Sequence, residues 1–195
     1  MAERWIATDE AEDVAGSIRQ ALRIVHLLDE DEQAWKWLML ALHSALQGAC
    51  VCHLVTTVVP VGCVTDKNAS EWLQFIEARR KDTNATRPKT YLLDLPSLLK
   101  KVRKPNSAGD GSNSKGIALS DSDFAYLKSF HETYRNQFTH FAPMGWSIEV
   151  SGVSEIARLI SRVIGEILDC GWAFRNLDLD MRSRLRADLD ALAKM

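Results

Sequence analysis

The sequence predicts an all-α protein, an antiparallel four-helix bundle with additional short helices, and three observations carry the prediction. Apolar residues recur at three- and four-residue steps through long stretches of the 195-residue chain, the spacing that lays one apolar stripe along a helix. Side-chain acceptors stand where those stretches begin, and Pro or Gly stands where several of them stop. Strict alternation is confined to Trp146, Ile148 and Val150, which reads as one extended piece lying across the bundle.

The first helix begins where Thr8 precedes Asp9, Glu10, Glu12 and Asp13, an N-cap followed by acidic residues, and Val14, Ile18, Leu22 and Val25 mark its buried face. After the acidic connection Asp29 to Glu32, a second helix starts near Asp31 and runs through Trp35, Leu38, Leu42, Ala45, Ala49 and Cys52. Trp37, Met39, Leu40 and Leu46 occupy its other sides, so it should be a central helix. From Trp37 to Thr65 there is no Asp, Glu, Lys or Arg, a run long enough to raise the question of a membrane span of about 20 residues. His43, Ser44, Gln47, His53, Thr56 and Thr57 interrupt it, and no basic cluster flanks it. Both features favour a helix buried in a core over a membrane span.

Pro60 and Gly62 end this stretch, and a shorter helix is expected from about Ser70 to Arg80, with Trp72, Leu73, Phe75 and Ile76 as its apolar positions. Pro96 at a first helical position starts one or two turns through Lys101. Residues 104–119, rich in Ser, Gly and Asn, read as a flexible surface loop. A further main helix runs from Ser120 to Phe141. Ser151 or Ser154 caps the next, whose Val153, Ile156, Ile160, Val163, Ile167 and Phe174 keep helical spacing, and Asp178 to Ala193 forms a terminal helix. Neither an internal repeat nor a domain boundary interrupts residues 1–195, which read as a single domain.

Composition narrows the function. A net charge of −2 excludes a globally basic nucleic-acid surface, so any such site must be a local cleft. Cys50, Cys52, Cys63 and Cys170 form no regular framework and the N-terminus lacks a signal-peptide pattern, which together suggest a cytoplasmic protein. Cys50, Cys52 and His53 would splay around a helix, without the paired spacing of structural zinc sites, so no metal is expected. His131-Glu132 does not open a zinc-binding His-Glu-x-x-His motif, because Arg135 stands where the second His is required. Phosphate-cradling Gly loops and nucleophile elbows are also absent from the sequence, and no cofactor is expected. Lys100, Lys101, Arg103 and Lys104 form the densest basic cluster, either a solvated helix end or a phosphate-contacting rim, with the solvated end slightly preferred.

What remains is the stretch Tyr134-Arg135-Asn136-Gln137-Phe138-Thr139-His140-Phe141. Phe124, Leu127, Tyr134, Phe138 and Phe141 make its apolar stripe, Glu132, Asn136 and His140 lie on roughly the opposite face, and Arg135 lies at the border. Arg135-Asn136-x3-His140, late in a helix and followed by Pro143 and Gly145, resembles the signature of the HEPN superfamily. The resemblance implies a helical bundle whose dimer pairs two motifs in one cleft, often as a metal-independent endoribonuclease. It further implies that Arg135, Asn136 and His140 are catalytic, that the chain is a homodimer with RNA as substrate, and that an antitoxin or regulatory protein is a possible partner. Members paired with nucleotidyltransferase antitoxins commonly carry Tyr two residues after the His, where this chain has Ala142.

The chemistry of these side chains fits that expectation. RNA carries its own nucleophile, the 2′-OH, and its cleavage to a 2′,3′-cyclic phosphate needs a base, an acid and a cation for the phosphate. Histidine titrates near neutrality, and the planar guanidinium of Arg135 can bond two phosphate oxygens at once. His43 and Gln47, an i, i+4 pair on the second helix, and Glu132 are candidate substrate-binding residues, with hydrogen-bonded core polar groups as the plainer role for the first two. A noncatalytic HEPN-like nucleotide- or RNA-binding or dimerisation module is the alternative function.

Overall fold

The computed structural model describes residues 3–6, 8–139, 145 and 147–195. The protein is all-α. The described residues form helices α1 (Glu10–Val25), α2 (Ala34–Leu54), α3 (Asp66–Lys81), α4 (Leu95–Val102), α5 (Asp121–Ser129), α6 (Asn136–Thr139), α7 (Val153–Asp169) and α8 (Leu179–Leu192), with a π-helical segment, Phe130–Arg135, joining α5 to α6. Among them the only β-type pairing described is an isolated antiparallel bridge between Val64 and Leu92.

The apolar stripes decide what packs on what. α2, apolar on most sides, packs against α1, α4, α7 and the π segment. Leu38, Leu42, Ala45, Leu46, Ala49 and Cys50 along it are fully buried. Its length and composition would allow a membrane crossing, but two thirds of its most apolar stretch is already buried against other helices. α8 packs on both α1 and α7, so α1, α2, α7 and α8 contact one another in a ring, and α4 and α5 lie beside it. A single hydrophobic cluster runs from Ala11 to Leu192.

Several element boundaries differ from the sequence expectation. Asp9, not Thr8, caps α1, its carboxylate accepting from the Glu12 N–H at 2.8 Å; a charged acceptor makes the stronger bond to the exposed N–H groups. α3 begins four residues before Ser70, where the Thr65 hydroxyl accepts from the Asn68 N–H. Asn68 is buried and secures the following loop, donating to the Lys89 carbonyl at 2.8 Å and accepting from the Tyr91 N–H at 2.9 Å. Neither Ser151 nor Ser154 caps α7, whose N-cap is Gly152. Phe174 lies past the end of α7 yet is buried, folded back into the core.

Residues 104–119 contain no helix, and they are tied to the bundle at both ends. The Gly109 N–H donates to the His53 carbonyl at 2.7 Å, and the Ile117 N–H donates to the Val102 carbonyl at 3.0 Å. Asn113 bridges the turn, accepting from the Ala108 N–H and donating to the Lys115 carbonyl, both at 2.7 Å. Ala108, Ile117 and Leu119 are buried. A Cβ on Gly109 would lie 1.9 Å from the Val55 carbonyl oxygen and 2.2 Å from the Trp172 indole nitrogen, so only glycine permits this close approach.

Candidate functional site

A groove of about 580 Å³ opens where the N-terminus of α1, the middle of α2 and the end of the π segment meet. Asp9, Glu10 and Asp13 from α1, His43, Ser44 and Gln47 from α2, and Arg135 line it. Three acidic residues and one arginine therefore share one small volume. His43 and Gln47 share the groove because they are one helical turn apart on α2, and Gly48 beside them lets α1 come close, since a Cβ there would meet Val14 at 2.8 Å.

Arg135 reaches this groove by way of the π segment. The sequence expectation of one continuous α-helix from Ser120 to Phe141 is corrected at Phe130, where the hydrogen-bonding pattern widens from i→i+4 to i→i+5 and everything beyond it changes its angular position. Leu127 and Phe130 are fully buried and Tyr134 and Phe138 partly so, which adds Phe130 to the expected stripe. The stretch does begin as expected, with a capping box in which Ser120 and Asp123 bond each other's backbone N–H groups.

Of the expected exposed face of Glu132, Asn136 and His140, the two described residues differ in their surroundings. Glu132 is exposed, lies 3.7 Å from Lys128 in an i, i+4 ion pair and does not line the groove. Asn136 is half-buried and accepts from Arg135 Nη1 at 3.0 Å, which holds the guanidinium from one side. His140, with Phe141, Ala142 and Pro143, lies outside the described residues.

One residue that the sequence analysis set aside enters here. His131 Nδ1 lies 2.8 Å from His43 Nε2, with the two rings stacked at a centroid distance of 5.1 Å and an interplanar angle of 23°. One nitrogen must donate and the other accept, so at most one proton lies between them. Burial, then the neighbouring His131 and Arg135, push the His43 pKa down to about 3. His131 is lowered by burial and by Arg135, against the opposing pull of the Asp94 and Glu132 carboxylates. Two neutral imidazoles and one cation thus stand together at neutral pH. The i, i+4 spacing of His131 and Arg135 was the signal available in the sequence; their meeting with His43, 88 positions away, was not.

The other candidates lie elsewhere. Cys50 and Cys52 are buried thiols pushed up to about 12 and Cys63 to about 11, all chiefly by burial, which keeps them protonated and inert. His53 is fully buried against Ser107 at 3.0 Å, in the loop contact. In the basic cluster, Arg103 pairs with Asp121 at 2.6 Å, and Lys100 and Arg103 both lie over the Phe124 ring. These two cations link α4 to α5. Compared with family models, characterised proteins and solved structures, the chain has no match.

Proposed function

We propose that the chain is a HEPN-like endoribonuclease, cytoplasmic and metal-independent, with the ring of α1, α2, α7 and α8 as its antiparallel four-helix bundle. The observation that carries the proposal is Arg135, held by Asn136 in the wall of a groove beside two neutral imidazoles. In this reading the guanidinium holds the scissile phosphate and offsets charge that grows on its oxygens in the transition state. Asn136 keeps the planar fork aimed, Gln47 contacts the substrate, and His140 is the further acid or base that the HEPN resemblance implies. The same resemblance supports a homodimer in which two motifs face each other, with a regulatory protein as a possible partner.

A second reading is a noncatalytic nucleotide-binding module, favoured by one specific feature. Asp9, Glu10 and Asp13 repel a polyanion but can accept hydrogen bonds from the amino and hydroxyl groups of a single nucleotide whose phosphate lies on Arg135.

Cleavage of labelled RNA with EDTA present separates the two readings. An endoribonuclease leaves cyclic phosphate ends, spares DNA of the same sequence for lack of a 2′-OH, and loses about 10²- to 10³-fold in rate on Arg135→Ala without a change in melting temperature. A protein that leaves RNA intact but shows Arg135-dependent heat of binding with a nucleoside monophosphate is the module. Sedimentation of the same samples tests the dimer, and a strict monomer removes the paired-motif geometry.

A further inference from the structure

Resting on the RNA-cleaving reading, we infer that His43 is the base that deprotonates the 2′-OH and that His131 is the residue behind it that positions its ring and takes its second proton. Neither belongs to the Arg-Asn-x3-His motif. His43 lies on α2, lines the groove and spends Nε2 on His131, so Nδ1 is the nitrogen left for a ligand. His131 spends Nδ1 on His43 and keeps Nε2. The two rings form a short wire between the groove and the partly exposed side of the π segment.

The wire answers a problem that His43 alone cannot solve. A cation on His43 would sit buried beside Arg135, where burial and like charge both disfavour it. His131 is less buried, and the carboxylates of Asp94 and Glu132 draw positive charge toward it, although Arg135 opposes them and Lys128 partly occupies Glu132. From the start of α1, Asp9, Glu10 and Asp13 line the same groove as His43. Passing the proton along the pair moves the charge from the worse site to the better one.

The step balances. The 2′-O–H gives its proton to His43 Nδ1 while the Nε2–H proton of His43 moves to His131 Nδ1. His131 then releases its Nε2–H proton to solvent. The 2′-oxygen forms a bond to phosphorus, the bond from phosphorus to the 5′-oxygen breaks, and the leaving 5′-oxygen takes a proton from solvent. One proton leaves and one returns, giving a cyclic phosphate and a free 5′-OH; a solvent proton taken up at His131 Nε2, passed to His43 Nε2 and matched by release of the His43 Nδ1 proton restores both rings.

His131→Asn tests the role, because the amide can still bond His43 Nε2 but cannot pass a proton on. The expected result is a loss of about 10²-fold or more in kcat, KM within a few-fold of wild type since Arg135 still binds phosphate, and an acidic limb of the pH–rate profile moved to lower pH. A variant that cleaves like wild type with an unmoved profile overturns the relay and leaves the Arg135 reading intact. A wild-type protein that cleaves no RNA overturns both. Should the variant fail to fold, the imidazole ¹⁵N shifts of the wild-type protein decide: His43 protonated on Nε2 and bare on Nδ1 supports the proposal, and a proton on His43 Nδ1 at neutral pH refutes it.

Discussion

Lowering the pH from 7 to 5 should remove about 4 kcal/mol of folding stability through two histidines, His43 and His53. In the folded chain burial holds them down at about 3 and about 4, against 6.5 for an ordinary histidine. Between these limits the unfolded chain binds protons that the folded chain refuses, so stability is full above the unfolded value and falls as pH falls toward the folded ones. At pH 5 each unfolded histidine gains about 2 kcal/mol relative to pH 7. That figure hardly depends on how far below 5 the folded value lies, because the folded ring is almost wholly neutral there in either case. His131 is shifted the same way and adds to the loss. Asp94 and Asp123, held below the usual carboxylate range chiefly by hydrogen bonds from Ser97 and Ser120, act mainly at lower pH.

Urea unfolding at the two pH values, followed by the fluorescence of the six tryptophans, measures the difference directly. His43→Gln should cut the pH-dependent loss by about 2 kcal/mol whatever it does to stability at pH 7. A total loss under about 1 kcal/mol in the wild type, or an unchanged loss in the double variant of His43 and His53, would show that these rings charge freely in the fold. The pair of neutral imidazoles beside Arg135 would then not exist as described.

Gly109→Ala should cost about 1–3 kcal/mol, since its Cβ displaces the Trp172 indole from the Val55 carbonyl, which it bonds at 2.9 Å, and leaves buried groups unpaired; limited proteolysis within residues 104–116 reports the release. Gly16→Ala in α1 meets nothing nearer than Arg19 at 3.9 Å and should stabilise by about 0.5–1 kcal/mol, read as a raised urea midpoint. Inserting one alanine after the exposed Thr133 moves Arg135 one α-helical residue further along, turns it by roughly 100° about the axis and should abolish RNA cleavage while circular dichroism keeps its helical signal.

Much of the fold was legible because burial writes itself as spacing. Val14 and Ile18 in α1, and Ile156, Ile160 and Val163 in α7, are fully or almost fully buried, as a 3.6-residue period requires. The centrality of α2 followed from apolar residues on every side. The start of α3 was missed because the apolar spacing begins only at Trp72, although Thr65-Asp66 is a recognisable cap. The docking of residues 104–119 was illegible for a different reason: Gly109 to His53 and Ile117 to Val102 are backbone bonds, whose partners no side chain announces. Ala108, Ile117 and Leu119 were the visible hints, apolar residues in a stretch otherwise fit for solvent.

The site was legible residue by residue but not as an arrangement. His43 and Gln47 stand where their own helical spacing puts them, whereas Arg135 and Asn136 are re-aimed by the π segment and His131 matters only because α2 crosses that segment at His43. That crossing also gives a reason for the π segment itself. Such segments are rare and recur at functional sites, so something outside the local sequence must hold this one. Here Phe130 is locked in the core, His131 is bonded to His43, and at the far end the Thr139 hydroxyl donates to the Arg135 carbonyl at 2.7 Å. An unbroken α-helix could keep Phe130 buried, but it would carry Arg135 to a different angle from the one that meets the groove. The irregularity is therefore what brings the cation and the two imidazoles to one place.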